Sequence, residues 1–400
     1  MSRQIVVGID IGTYEVKVII AEGAVSDGHF NPRIIGTGTA ETRGVERGFV
    51  VSTAEASASI RTAVAKAEKI SGVRVRRAYV SFGGIGLGSL TTTGSVAISR
   101  ADLEITERDL AACLEVAEAA IPTSAALNKR VINTIPIEYK IDGKVSWGEP
   151  LGLKAQKLEV KALFITCLEH HLSDLIKTVE DADIEVIDVV AAPVAASFVT
   201  ISKKQRRVGC LLADIGAETL SLIAFENNNP ISLEVFPIGG SDITNDIALG
   251  LKIPLEEAEN IKLGGLSRSS YSKKKLEEIV NARLGDCFEL MQSHLKKIGR
   301  DSLLPAGAVL TGGTVGIPGI KNFAEEELSL PAQIADIHFG TSDKNKIRNN
   351  IWATACGLSL WGFNSNDTGH LMGPRKGPIS AESGQKIMRK ISRWITQLLP

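Results

Sequence analysis

The sequence predicts an α/β protein built as two related halves facing a cleft, with a small α+β unit inserted into the first half. Three observations carry this. Ile5 to Ile20, IVVGIDIGTYEVKVII, is an apolar run broken by Asp10-Ile11-Gly12-Thr13 and resumed by alternating Val16, Val18 and Ile20, the pattern of a hairpin with an acidic residue just before its turn. Val208 to Phe225, VGCLLADIGAETLSLIAF, repeats it with Asp214-Ile215-Gly216 at the turn. Between the two copies, residues 87 to 160 change rhythm to short strands around one helix.

In chain order, Arg33 to Thr37 continues the opening hairpin as a third strand, and Thr53 to Ile70 is an Ala-rich helix with Ser52 or Thr53 as its cap. A strand at Arg77 to Phe82 completes strands joined by a crossover helix, an α/β order. Gly83-Gly84-Ile85-Gly86 follows; it lacks the GxGxxG spacing of a dinucleotide loop, and no amphipathic helix starts on it. The inserted unit holds strands at Thr93 to Ser99, Arg130 to Ile141 and Leu158 to Phe164, with a helix from Glu107 to Ala120 that Thr106 and Asp109 cap as a variant capping box.

Leu172 to Asp181 is a helix, and Glu185 to Ile201 is a strand running into an Ala-rich helix. Lys203-Lys204-Gln205-Arg206-Arg207 reads as a solvated linker between the halves. The second half repeats the hairpin, then adds a strand at Ile231 to Ile238, helices at Ile243 to Leu249 and Leu255 to Lys262, and a polar loop at Ser267 to Lys275. Leu276 to Ile298 carries an apolar stripe at helical spacing. Ala308 to Gly313 is a strand ending in a glycine turn, followed by helices at Ile317 to Leu328 and Ile351 to Trp361.

Residues 362 to 383 are rich in Gly, Ser, Asn and Pro without apolar period, a linker. Beyond it, residues 384 to 400 place Ile387, Met388, Ile391, Trp394, Ile395, Leu398 and Leu399 at helical spacing, with Lys386, Arg389, Lys390 and Arg393 on the other face. A basic amphipathic helix with a Trp is the pattern of an interfacial membrane anchor.

Composition narrows the function classes. The 400 residues carry 45 Lys plus Arg against 46 Asp plus Glu, a net charge of −1, so no whole-protein field attracts nucleic acid. Five scattered cysteines without a CxxC pair point to a reducing setting. With no signal-peptide pattern and no long apolar run, the chain reads as neither secreted nor membrane-spanning.

The turns suggest chemistry. An acidic residue before a Gly-Thr turn can set a carboxylate, a hydroxyl and backbone N–H groups around one point, such as a phosphate with its metal. Asp10-Ile11-Gly12-Thr13, Asp214-Ile215-Gly216, Glu259-Asn260-Ile261-Lys262 and Leu310-Thr311-Gly312-Gly313-Thr314 resemble, in order and spacing, the phosphate loops and adenosine-contacting segments of the actin-like ATPase superfamily. Within it, the insertion and the amphipathic C-terminus are similar to the FtsA family, bacterial cell-division homologues of actin. Thr42 to Gly48, Ile135 to Tyr139 and Ile165 to Cys167 extend the likeness over nearly the whole chain.

That resemblance implies an actin-like, duplicated ribonuclease-H-like bilobed fold. Its first core subdomain would comprise residues 1–82, 162–201 and 351–361, with the insertion at 83–161; the second core would take 202–228 and 305–350, with an outer subdomain at 229–304. It implies ATP or ADP with Mg²⁺. Gly12, Thr13 and Tyr14 would hold one side of the phosphates and Gly216 the other, Asp10 and Asp214 would orient the metal through water, Glu259 and Lys262 would flank ribose and adenine, and Gly312, Gly313 and Thr314 would lie beneath the base.

Two departures bear on activity. Ala217-Glu218 stands where the superfamily has two glycines in DxGGGT, which is expected to narrow the backbone approach and set a carboxylate against phosphate. Ala192 stands before Pro193 where active ATPases of the fold carry a water-positioning Glu, so turnover is expected to be slow or absent. The resemblance further implies self-polymerisation, other division partners, a location at the cytoplasmic face of the inner membrane at the division site, and binding of the FtsZ C-terminal tail near residues 229 to 304, where Lys273, Lys274, Lys275 and Arg283 would meet an acidic peptide. Alternatives are a PilM-like binding module, expected to lack the amphipathic end, and an ATP-dependent kinase of the same fold, which would not need it.

Overall fold

A computed structural model describes residues 4–26, 29–266, 270–339 and 349–366. The apolar alternation at the start forms β1 (Gln4–Ile11) and β2 (Glu15–Ser26), antiparallel in a register that sets Asp10 opposite Lys17, and β3 (His29–Glu41) continues the meander. A short hairpin, β4 (Val45–Glu46) and β5 (Phe49–Val50), precedes α1 (Thr53–Ser71). Ser52 holds the N-cap position without a side-chain bond, and Gly72, at φ 70°, closes the other end by donating its N–H to the Glu68 carbonyl. Strand β6 (Arg77–Phe82) runs parallel to β1.

The inserted unit comprises β7 (Gly88–Ala97), α2 (Glu107–Ala119), α3 (Thr123–Ala126), β8 (Lys129–Ile141), β9 (Lys144–Ser146) and β10 (Lys157–Leu168). The expected capping box is present: the Thr106 N–H donates to Asp109 Oδ2 at 2.8 Å. Helix α4 (Glu169–Glu180), strand β11 (Glu185–Ala191) and helix α5 (Ala192–Thr200) return the chain to the first sheet, ordered β11-β6-β1-β2-β3.

The stretch expected to be a solvated linker is instead α6 (Lys203–Val208), capped by Ser202 and Gln205. Lys203, Lys204 and Arg207 are exposed, whereas Arg206 is only 5 % exposed. Its Nη2 donates to the Ser197 carbonyl at 2.6 Å and its guanidinium lies 5.7 and 5.0 Å from the Phe198 and Phe225 ring centres. The two rings and the carbonyl compensate the buried cation, whose pKa burial lowers to about 10.

The second half repeats the first. Strands β12 (Cys210–Ile215), β13 (Leu220–Glu226) and β14 (Asn229–Phe236) form the meander. Helices α7 (Gly240–Leu251), α8 (Leu255–Lys262) and α9 (Lys273–Lys297) follow, then β15 (Ala308–Thr311), α10 (Ile320–Leu328) and β16 (Ala332–Ile334). The order β16-β15-β12-β13-β14 matches the first sheet strand for strand. It continues beyond β14 into β7-β10-β8-β9, so the inserted unit belongs to the first half by chain and to the second by hydrogen bonding. The joint is one strand pair, Glu234 with Gly88, reinforced by the Leu233 N–H donating to Ser89 Oγ at 2.7 Å and Asn229 Nδ2 donating to the Ile137 carbonyl at 3.0 Å.

Helix α11 (Ala353–Asn366) closes the described fold. It runs five residues past Trp361, into the stretch read as linker, because Gly362 fits against Val6 and Tyr79 where a Cβ would collide. Helices α5 and α11 lie between the two sheets: α11 packs on β1, β2 and β6, and α5 on β11, β12 and β13. All nine residues of α5 are buried, consistent with its Ala-rich, uniformly apolar composition. One core cluster joins the first sheet, α1, α4, α5 and α11 to one face of the second sheet; a second lies between that sheet's other face and α7 to α10; a third sits under α2.

At the crossing of α5 and α11, a Cβ on Gly357 would strike the Ala195 carbonyl. Gly357→Ala is expected to cost about 3 kcal/mol by forcing the helices apart, read as a lower urea midpoint at an unchanged m-value. An unchanged midpoint would remove the crossing as the point of closest approach.

Candidate functional site

The two meander turns face each other. In the first, Gly12-Thr13-Tyr14 links β1 to β2, and Thr42 Oγ1 donates to the Gly12 carbonyl at 2.7 Å. The second turn, residues 216 to 219, is closed by the Gly216 N–H on the Thr219 carbonyl at 2.9 Å. The Gly216 carbonyl also accepts from the Gly240 N–H and from Thr314 Oγ1, both at 2.9 Å, and the Ala217 carbonyl accepts from the Ser241 N–H at 2.7 Å. The first N–H groups of α7 are thereby engaged by the turn itself.

Asp10 and Asp214 occupy equivalent positions near the ends of β1 and β12. Ser81 Oγ donates to Asp10 Oδ1 at 2.8 Å, and Lys17 Nζ stands 3.8 Å from Asp10 Oδ2. Burial first, and the negative charge of Asp10 second, push the Asp214 carboxyl up to about 6, with Lys17 partly offsetting both. These three charges therefore sense one another across the cleft. Gly312, at φ 94°, lies where any Cβ would meet Asp214 Oδ1, bringing the third segment to the same point.

Two carboxylates in like-charge tension are a pair that a divalent cation would relieve. Among the described residues no group of three or more His, Cys, Asp and Glu could cage a metal, and Mg²⁺ typically keeps several waters while using one or two carboxylates plus phosphate oxygens. Asp10 and Asp214 fit that mode. Lys17 lies buried beside them, and its one signal in the sequence is a lone cation inside the alternating apolar strand Val16-Lys17-Val18.

Where the nucleoside is expected, Lys262 Nζ donates to Glu259 Oε2 at 2.6 Å, Thr244 Oγ1 at 2.9 Å and the Gly240 carbonyl at 3.0 Å. All three ammonium protons are thus used within the protein, tying α8 to the start of α7. Burial lowers the Lys262 pKa while Glu259 opposes the shift. Tyr14 is 63 % exposed in the cleft, and its phenol pKa is raised first by partial burial and then by the charge of Glu259 in the opposite half. Gly313 and Thr314 lie in a 3₁₀ turn directly after β15.

The cationic residues expected to meet a peptide share one stretch of α9. Lys273 is exposed, Lys274 Nζ is 3.9 Å from Glu278, Lys275 Nζ donates to the Gly250 carbonyl at 2.6 Å, and Arg283 bonds Asp246 at 2.7 Å and Asp286 at 3.1 Å. Beyond Arg283, a groove of about 430 Å³ runs between α9 and α10 over Phe288 and Phe323, rimmed by Asp286, Glu289 and Glu327. The membrane-helix residues Ile387, Met388, Arg389, Lys390, Ile391, Arg393, Trp394, Ile395, Leu398 and Leu399 lie outside the described residues. No helix among the described residues is long and apolar enough to cross a membrane.

Residues 211–357 match the family model "Cell division protein FtsA", and residues 84–166 match "SHS2 domain inserted in FTSA". Cell division protein FtsA of Pseudomonas aeruginosa is 30 % identical over 98 % of this chain and 98 % of its own length. The fold is similar to that of a chain in the PilM-PilN type IV pilus biogenesis complex, with TM-score 0.64 and 16 % identity over 89 % of this chain and 98 % of that one. MreB5 of Spiroplasma citri bound to ADP gives TM-score 0.50 at 12 % identity over 92 % and 99 %. The fold is thus actin-like, with the inserted unit in place.

Proposed function

The chain belongs to the FtsA family of cell-division proteins, and from that premise we propose that it polymerises, binds the C-terminal tail of FtsZ and tethers the division ring to the cytoplasmic face of the inner membrane. Likeness to a division protein over 98 % of both chains carries the reading. The basic amphipathic sequence of residues 384–400 supports the membrane part. It also favours this reading over a PilM-like module or a kinase.

In this proposal ATP or ADP with Mg²⁺ sits between the two turns and acts as a clamp between halves. The phosphates supply the anion that Lys17 and the turn N–H groups would neutralise, with Asp10 and Asp214 holding the metal's water shell. Lys262 then acts indirectly, positioning Glu259 for the ribose. Ala192 in place of a carboxylate supports a binding role over rapid turnover.

For the FtsZ tail, the cationic start of α9 is the proposed contact, since the neighbouring groove is rimmed by carboxylates that repel an acidic peptide. A labelled FtsZ-tail peptide should bind the full chain, and Lys273→Glu with Lys274→Glu should weaken binding about tenfold in low salt. Equal affinity of wild type and double variant would remove this face, and absence of binding would leave an actin-like scaffold without this partner.

A further inference from the structure

The Gly83-Gly84-Ile85-Gly86 run and Glu218, the residue that departs from the glycine-rich turn, are linked by the small hairpin of β4 and β5. Its turn residues Arg47 and Gly48 have φ 47° and 76°, the pairing required by a two-residue hairpin of type I′. In such a turn the N–H of the first central residue makes no bond within the hairpin and is open to an acceptor from elsewhere. Here the acceptor is a side chain 171 positions away: the Arg47 N–H donates to Glu218 Oε2 at 2.7 Å.

The hairpin is held firmly on the first half. A Cβ on Gly48 would come within 2.5 Å of the Gly84 Cα, and one on Gly84 within 2.8 Å of the Phe49 ring. Phe49 stacks on His171 of α4 with ring centres 3.6 Å apart and planes 10° apart. The Val51 and Ser52 N–H groups both bond the Gly44 carbonyl, at 2.9 and 3.1 Å. Glu218 is held equally firmly on the second half, because the carbonyls of Gly216 and Ala217 before it accept the N–H groups at the start of α7.

We propose that Glu218 and the 45–50 hairpin form a latch across the mouth of the cleft, joining the second turn to the first half independently of nucleotide. A glycine at position 218 has no side chain to reach the hairpin. The glycine run at 83–86 then serves as the seat of the latch, its missing side chains making room for Gly48 and Phe49. This proposal rests on neither the nucleotide nor the membrane reading.

Amide hydrogen exchange of the nucleotide-free full chain tests it. In Glu218→Ala and Glu218→Lys the Arg47 amide is expected to exchange about tenfold faster than in wild type, the loss of one charge-assisted bond. Glu218→Gln keeps a neutral acceptor and is expected to stay within about threefold of wild type. The amides of β6 report global folding and should not change in any variant. Wild-type exchange at Arg47 in both Glu218→Ala and Glu218→Lys would overturn the latch, as would equal acceleration in Glu218→Gln.

Discussion

Asp214→Asn is expected to make the nucleotide-free chain more stable at neutral pH, by about 1 to 3 kcal/mol, while removing Mg²⁺-dependent nucleotide binding. The Asp214 carboxyl rises from 3.8 to about 6, first through burial and then through the charge of Asp10. Above pH 4 the unfolded chain loses a proton that the folded chain still holds, so wild-type stability falls as pH rises from about 4 to about 6 and levels off beyond. Asparagine does not titrate, and that decline should shrink in the variant. Urea unfolding at about pH 4.5 and about pH 7.5, with labelled ATP titration in Mg²⁺, reads both halves. A stability difference between wild type and Asp214→Asn that is the same at the two pH values would refute the charged-pair account.

A second large effect is expected at the other end of the chain. Replacing Lys386, Arg389, Lys390 and Arg393 together by Gln should lower affinity for anionic vesicles by about a hundredfold to a thousandfold, since each cation near such a surface contributes about 1 kcal/mol. Removal of residues 384–400 should abolish co-sedimentation. On vesicles of neutral lipid the charge substitutions should matter little, because only the apolar residues, Trp394 among them, then contribute. Equal sedimentation of the full and truncated chains on anionic vesicles would defeat the anchor.

Much of the fold was legible because the hairpin repeat is local: alternation around Asp10 and again around Asp214 announces two meanders, and an Ala-rich apolar segment before Lys203 announces a buried helix. Features fixed by contacts between distant segments were not. Arg206 looks like one cation in a solvated cluster, and only the Phe198 and Phe225 rings make its burial tolerable. Gly362 opens a stretch of linker-like composition, yet it is the small residue that lets α11 pass Val6 and Tyr79. Lys262, expected beside the nucleoside, has its protons taken by acceptors on α7 and α8 that no local spacing reveals. In the sequence Glu218 is only a hazard to phosphate, since nothing near it indicates the Arg47 amide opposite.

The joint between β14 and β7 gives the molecule a mechanical property. Chain connectivity runs from the first half into the inserted unit, hydrogen bonding runs from that unit into the second half, and α5 with α11 returns to the first. The three bodies therefore form a closed circuit, and a pull applied to the inserted unit divides between two routes. One route is covalent; the other passes through the facing residues Glu234 and Gly88, three side-chain hydrogen bonds, and the apolar packing of Leu233 and Val235 against Ile135, Leu163 and Ile165. A load on the inserted unit is therefore shared between the two halves rather than carried by the first alone.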